Sequence, residues 1–139
     1  MKHEQMAQLL SERGIRPTQQ RIAVYDYLLR HRTHPSAEMV YDALVVKHPT
    51  FSRTTVYNSL HALVEAGLVQ ELSLGTEERH YDGDVSLHGH FYCCGCSTIF
   101  DFPLDEAAVH ALQPADFTVS GRAILFSGRC AACRQLNVN

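Results

Sequence analysis

Two metal-binding patterns adjoin in residues 88–96, which read His-Gly-His-Phe-Tyr-Cys-Cys-Gly-Cys. His88 and His90 are two residues apart, so on a β-strand both imidazoles would point to the same face of the sheet. Cys93 and Cys96 form a C-x2-C turn, from which two thiolates can reach one metal ion. Thiolate sets favour zinc in a structural role, whereas imidazoles also bind iron, copper or nickel. We therefore predict two metal sites with different functions.

A second C-x2-C turn, at Cys130 and Cys133, follows the first after 33 intervening residues. Four thiolates around one ion are a structural zinc site, and this spacing fits two turns that clamp a strand–helix–strand unit. The alternative is thiol–disulfide chemistry, but that C-x2-C motif belongs to a βαβ setting, which the sequence does not indicate. Cys94 is the fifth cysteine, and we expect its side chain to fill the core.

Composition limits the class of protein. Hydrophobic residues make up 45% of the 139-residue chain, so a folded core is expected. No apolar run approaches the roughly 20 residues that span a bilayer, and the first residues lack the apolar segment of a signal peptide. These features predict a cytoplasmic protein with no membrane partner. In a reducing compartment, cysteines favour metal ligation over disulfides.

Charge differs between the two halves of the chain. Residues 1–70 carry a net charge of +2, and residues 71–139 carry −5. A mildly basic half and an acidic half fit a DNA-contacting unit joined to a cation-binding unit.

The first half predicts four helices followed by two strands. Apolar periodicity indicates a helix over residues 3–13, and Pro17 should open a second that runs to about His31. Ser36 and Ser52 are expected to cap the third and fourth helices, with Gly67 just after the fourth. Strands at residues 68–72 and 79–82 complete the outline of a winged helix-turn-helix, which we assign to residues 1–83.

The fourth helix would be the recognition helix. Its apolar stripe contains Val56, Leu60, Leu63 and Val64. Its other face carries side chains suited to guanine, adenine or phosphate contacts, namely Arg53, Thr54, Thr55, Tyr57 and Asn58. The alternative is an ordinary solvated face on a helical bundle, which periodicity alone does not exclude.

The second half, residues 84–139, predicts a small α+β unit. A strand around Phe91 leads into the first cysteine turn. A strand at residues 97–102, a helix at residues 105–112 and a long strand at residues 117–126 then lie between the two cysteine turns. The chain as a whole is therefore predicted to be α+β.

Imidazoles and carboxylates form the second predicted metal site. In the proposed fold, His34, Asp82 and Asp101 lie near His88 and His90. Mixed nitrogen and oxygen ligands suit Fe(II), Mn(II) or Zn(II) better than Ca(II). Because the ligands come from both halves, a bound ion could fix the DNA-binding half relative to the other. The other six histidines, His80 among them, are expected to have ordinary surface roles.

Several short motifs, taken in order, resemble the ferric uptake regulator (Fur) superfamily. They are R-x-T-x-Q-R from Arg16 to Arg21, His-Pro-Ser-Ala at residues 34–37, Thr-Val-Tyr-Asn-Ser-Leu at residues 55–60, Gly-Leu-Val at residues 67–69, and the His and Cys patterns above. The resemblance implies a homodimeric, metal-activated transcriptional repressor of an operator in double-stranded DNA, with structural Zn(II) on four cysteines. Arg16 and Arg21 then join the predicted DNA contacts.

Within this superfamily, the chain resembles the peroxide-sensing (PerR) branch. That branch carries His, Asp, His, His and Asp at the regulatory site, and the matching residues here are His34, Asp82, His88, His90 and Asp101. Iron-uptake regulators usually carry Glu in place of both aspartates, and Arg where Asn58 stands. The resemblance implies that regulatory Fe(II) catalyses oxidation of a ligand histidine by peroxide, with His34 or His88 as the target, whereas Mn(II) gives an insensitive repressor.

Some residues depart from the family pattern. Gly89 and Arg122 occupy the expected places of a third metal site, which is therefore predicted to be absent, and Ser97 stands where glycine commonly follows the second cysteine. Two other functions are kept as alternatives. One is an iron-uptake, manganese-sensing or zinc-sensing repressor, and the other is a small non-haem metalloenzyme. No catalytic residues are predicted.

Overall fold

A computed structural model describes residues 1–74 and 77–136 of the chain. They form two compact units, Met1–Val85 and Ser86–Asn139, which are considered separately below. Of the predicted turn between the two wing strands, residues 75 and 76 lie outside the described part. Within the described part, no helix has both the length and the apolar character needed to cross a membrane.

The first unit contains four helices followed by an antiparallel two-stranded wing. The elements are α1 His3–Glu12, α2 Gln19–Arg30, α3 Ala37–Val45, α4 Arg53–Glu65, β1 Gln70–Ser73 and β2 Arg79–Asp82. This element order confirms the predicted winged helix-turn-helix, with α4 in the position of the recognition helix.

Local capping chemistry sets the helix starts. The hydroxyls of Ser36 and Ser52 each accept a hydrogen bond from the backbone N–H three residues later, at 3.2 and 3.1 Å. Both serines were predicted caps. The second helix, however, begins at Gln19 and not at Pro17, because the Thr18 hydroxyl accepts the backbone N–H of residue 21 and takes the cap position.

The apolar face of α4 forms the centre of the first unit. Val56, Leu60 and Leu63 are fully buried, as their helical spacing predicted. They pack in one cluster with side chains from the other helices and from the segment before the wing, including Met6, Leu10, Val24, Leu28, Val40 and Leu68. Burying one face of α4 in this way leaves its opposite face exposed.

The second unit is a three-stranded sheet with two helices. Its elements are β3 His88–Cys93, β4 Ile99–Pro103, α5 Glu106–Leu112, β5 Leu125–Gly128 and α6 Ala131–Leu136. The strand order is β4-β3-β5, with β3 antiparallel to β4 and parallel to β5. The α+β class is therefore confirmed for the described residues.

The long strand predicted at residues 117–126 is wrong, because only Leu125–Gly128 forms a strand there. Ladder pairing with β3 begins opposite His90, whose N–H donates to the carbonyl of Ile124 at 3.0 Å. If this parallel register continued, residues before 123 would need partners before His88, where β3 begins. The apolar alternation of this segment was therefore a poor guide to strand pairing. Helix α6 was not predicted.

Candidate metal sites and nucleic-acid interface

The two cysteine turns meet at one end of the β3–β5 pair. Their four ligand atoms lie within 4.8 Å of one another, and they belong to Cys93, Cys96, Cys130 and Cys133. Parallel pairing places Cys93 opposite Gly128, so the second turn follows directly beside the first. The sulfurs of Cys96 and Cys130 are 3.9 Å apart. A tetrahedral ion with Zn–S bonds of about 2.3 Å separates its sulfur ligands by roughly 3.8 Å, so the cluster suits structural zinc.

Backbone hydrogen bonds favour the thiolate form of Cys93, which is the form that binds a cation. The N–H groups of Cys130 and Cys96 donate to Sγ of Cys93 at 3.3 and 3.4 Å, and they lower the pKa of Cys93 to about 6. The Thr98 hydroxyl, 3.3 Å from Sγ of Cys96, lowers the pKa of that thiol as well. Hydrogen bonding to the neighbouring sulfurs, first to Cys93, raises the pKa of Cys133. Metal ligation needs thiolates, so a divalent ion that binds here would displace the protons that remain on the thiols.

The first turn depends on two special backbone positions. A Cβ at Gly95 would lie 2.9 Å from Sγ of Cys133, so a larger residue there would crowd the cluster. Ser97 has a φ of +61°, a left-handed conformation that disfavours side chains. This is the position at which the sequence departs from the family's usual glycine.

Cys94 does not fill the core, contrary to expectation. Its side chain is exposed, and its backbone N–H donates to the carbonyl of Gly128 at 2.7 Å. The strand ends at Cys93, so the alternation that would have turned Cys94 inward does not continue into the turn.

Two predicted ligands of the regulatory site lie in the first unit. His34 and Asp82 are buried, at 5% and 3% exposure, with Nε2 and Oδ2 3.4 Å apart. The N–H of Asp84 donates to the other carboxylate oxygen, Oδ1, at 2.9 Å. The carboxylate is thus held in a fixed orientation, with Oδ2 beside the imidazole.

The wing supports the backbone of His34. His34 has a φ of +55°, and its carbonyl accepts a hydrogen bond from Nδ1 of His80 at 2.7 Å. The N–H of Tyr81 donates to the next carbonyl, that of Pro35, at 2.9 Å. His80, expected to be an ordinary surface histidine, therefore braces a strained segment next to a predicted ligand.

The other three predicted ligands lie in the second unit. His88 and His90 alternate with Gly89 on β3, and their rings are 4.5 Å apart between centroids. Oδ1 of Asp101 lies 3.7 Å from Nε2 of His88 and 3.4 Å from Nε2 of His90. His90 and Asp101 are direct cross-strand partners, which explains their proximity. Imidazole and carboxylate donors of this kind suit Fe(II) or Mn(II).

Gly89 allows close packing on the opposite face of β3. A Cβ at Gly89 would lie 2.2 Å from the ring of Phe102, which stacks on Phe126 with a centroid distance of 5.7 Å. The glycine between the two histidines therefore has a structural reason in this chain.

The candidate nucleic-acid interface is the exposed face of α4. Arg53, Thr54, Tyr57 and Asn58 are exposed, while the hydroxyl of Thr55 lies 2.9 Å from that of Ser52 and takes part in the cap. Before α2, Arg16 is exposed, and half-buried Arg21 donates from Nη1 to the carbonyl of Arg16 at 3.0 Å. The sequence patterns did not indicate Glu38 on α3, which contacts both Arg53 and Tyr57.

Comparison with known proteins places this arrangement in a family. The model of the ferric uptake regulator family matches residues 12–119. The peroxide operon regulator of Bacillus subtilis is 39% identical over 127 residues, which cover 89% of this chain and 88% of that protein. The peroxide-responsive repressor PerR of Staphylococcus epidermidis is 35% identical, with 91% and 86% covered.

A solved structure agrees with these sequence relatives. The crystal structure of the Campylobacter jejuni peroxide stress regulator is similar, with a TM-score of 0.70 and 26% identity, and the match covers 96% of this chain and all of that one. The resemblance inferred from the short motifs is therefore confirmed. The chain belongs to the ferric uptake regulator family.

Proposed function

We propose that the protein is a metal-dependent transcriptional repressor that binds operator DNA as a homodimer and responds to hydrogen peroxide. The observation that carries this proposal is the donor set, in which Asp82 and Asp101 stand beside imidazoles where iron-uptake regulators usually carry glutamate. The names of the relatives, two peroxide-responsive regulators and a peroxide stress regulator, support the same function. We place the protein in the cytoplasm, because a repressor must reach the DNA that it regulates.

The DNA-binding role is assigned to the first unit. The exposed side chains of α4 enter the major groove, where Asn58 and Arg53 contact bases, and Arg16 and Arg21 contact phosphates. Thr54, Thr55 and Tyr57 supply hydroxyl contacts. A dimer of such units fits a pseudo-palindromic operator.

Dimerisation is assigned to the second unit. Large apolar side chains are exposed on it, among them Leu112, Phe117 and Phe126 at 80%, 73% and 59%. Apolar surface of this extent is typical of a protein–protein contact. Membership of the family supports a homodimer as the partner.

The regulatory metal is assigned to five side chains from both units: His34, Asp82, His88, His90 and Asp101. One Fe(II) or Mn(II) ion shared by these residues would tie the DNA-binding unit to the dimerisation unit. A shared site predicts that His34→Ala and His90→Ala each remove the same single ion per protomer. Two separate sites would instead lose one ion in each variant and keep the other.

Peroxide sensing then follows from the ligands themselves. A bound Fe(II) ion would catalyse cleavage of the O–O bond of peroxide, with the imidazole as the net two-electron reductant. One peroxide oxygen is added to C2 of His34 or His88, to give 2-oxo-histidine, and the other leaves as water. An oxidised imidazole is a weaker donor, so the ligand set loses affinity for its ion. The two units lose their common anchor, and the repressor leaves its operator.

Operator binding with Fe(II) or Mn(II), before and after dilute hydrogen peroxide, tests this function. We expect both forms to bind, and only the Fe(II) form to release DNA after peroxide. Retention of DNA by the oxidised Fe(II) form would favour an iron-uptake type of repressor. Turnover of a small substrate without any DNA binding would favour a metalloenzyme.

A further inference from the structure

A carboxylate of α3 holds the first side chain of the recognition helix. Nε of Arg53 lies 3.1 Å from both oxygens of Glu38, and Nη2 lies 2.9 Å from Oε1. These contacts use two of the five N–H groups of the guanidinium and leave the Nη1 edge to other partners. Hydrogen bonding from Arg53 also lowers the pKa of Glu38, so the carboxylate is ionised at neutral pH.

Two tyrosines complete this arrangement, which we call the Glu38 cluster (Glu38, Tyr41, Arg53 and Tyr57). The guanidinium carbon of Arg53 lies 4.6 Å from the ring centroid of Tyr41. The hydroxyl of Tyr57 donates to Oε2 of Glu38 at 3.3 Å. Arg53 is therefore fixed on one edge by a carboxylate and on one face by an aromatic ring.

Stability alone is a weak reason for this cluster. The side chains of Arg53 and Glu38 are 60% and 41% exposed, and exposed ion pairs contribute little to the free energy of folding. A carboxylate beside proposed DNA contacts also repels phosphates. The arrangement thus lowers the general attraction of this surface for DNA.

We propose that Glu38 is a specificity-determining residue of the DNA interface, which orients Arg53 for a base edge and limits its attraction to phosphates. The inference rests on the proposed function. A guanidinium whose direction is fixed presents its remaining N–H groups to one place in the groove, as bidentate contact with guanine requires. A mobile guanidinium without a neighbouring carboxylate would instead bind any nearby phosphate. Such a contact carries no sequence information.

Glu38→Gln is the direct test, because it removes the charge while keeping the size of the side chain. The Mn(II)-loaded protein is titrated with an operator selected by the parent protein from random duplexes, and with a scrambled duplex of equal length, over a range of salt. We expect tighter binding to the scrambled duplex and a salt dependence steeper by about one released counterion. The ratio of the two affinities should fall by on the order of tenfold.

Two further variants make the result specific. Glu65→Gln removes one exposed charge from the last turn of α4, at the opposite end of that helix from Arg53. It should leave the affinity ratio near that of the parent. In an Arg53→Gln background, Glu38→Gln should have no further effect on that ratio.

A Glu38→Gln protein with the parent's affinity ratio and salt dependence would overturn this inference but not the proposed function. A change in the affinity ratio that persists in the Arg53→Gln background would do the same. If the parent itself showed no preference for any duplex, the proposed function would fall and the role of Glu38 with it. Thermal melting of each variant checks that the first unit remains folded.

Discussion

The backbone N–H of Cys130 donates to Sγ of Cys93 over 3.3 Å, although 37 positions separate the two residues. This bond ties the end of the second unit to its central strand, at the thiolate cluster. The two elements next to the second cysteine turn, β5 and α6, are short, and α6 has no buried residue among those described. We infer that the metal, more than apolar packing, holds this end of the unit together.

Cys130→Ser should therefore lose zinc and the folded second unit together. Binding of structural zinc in small domains is worth on the order of 10 kcal/mol, far more than one hydrogen bond. Metal content and thermal melting measure the two losses. Cys94→Ser, which changes an exposed thiol, is the matched control and should retain both. Full zinc content in the Cys130→Ser protein would refute the four-cysteine assignment.

Ser97→Gly should stabilise the first cysteine turn. The left-handed φ of +61° costs a residue with a side chain about 1–2 kcal/mol, which glycine avoids. Glycine also gains freedom in the unfolded chain, so we expect a net gain of about 1 kcal/mol in the free energy of unfolding. Chemical denaturation of the zinc-loaded protein measures it.

The control for Ser97→Gly is Ser73→Gly at the end of an extended strand, where glycine should destabilise. A Ser97→Gly protein less stable than the parent would mean that the hydroxyl has a role beyond the turn.

Asn58→Ala should relax the sequence preference of DNA binding. Asn58 is exposed on α4, and loss of a base contact there should cost roughly 1–3 kcal/mol at one operator position, with little effect elsewhere. Affinities for a set of operators, each with one base pair changed, measure this effect. Equal discrimination by parent and variant at every position would show that Asn58 does not read bases.

Local chemistry explains which parts of the fold were predictable. Ser36 and Ser52 cap their helices through bonds to residues three positions away, so sequence alone contains the necessary information. Spacing was similarly informative for His88 and His90, because a strand repeats every two residues. The pairing of Glu38 with Arg53 depends instead on how α3 crosses α4, which no periodicity describes.

The strand prediction at residues 117–124 also failed because the outcome depends on residues far away in the sequence. The alternating apolar residues of this segment predicted a strand, yet in the observed register the residues before 123 lie beyond the start of β3, whose length is a property of a distant part of the chain. The role of His80 was missed for a related reason. Its partner is the carbonyl of His34, a residue that is 46 positions earlier and lies next to β2 where Ser36 and His80 form a bridge.

The last prediction concerns the site of oxidation. After dilute hydrogen peroxide, peptides from Fe(II)-loaded protein should gain one oxygen atom on His34 or His88, and those from Mn(II)-loaded protein should not. The reason is proximity, because an oxidant formed at the regulatory ion lies within bonding distance of its own ligands. The four clustered cysteines should be spared, since zinc is not redox-active and four thiolates fill its coordination. Peptide mass spectrometry separates these outcomes.

Exposed Cys94 provides an internal reference for this experiment, because a free thiol reacts with peroxide in solution whichever ion is bound. Oxygen on Cys94 in both metal forms therefore reports general oxidation, and only the histidine signal reports the regulatory site. His90→Ala, which removes a proposed ligand without removing either target, should abolish the histidine signal and leave that of Cys94. Equal oxidation of His34 or His88 with Fe(II) and with Mn(II), or persistence of the histidine signal in His90→Ala, would contradict ligand oxidation as the sensing step.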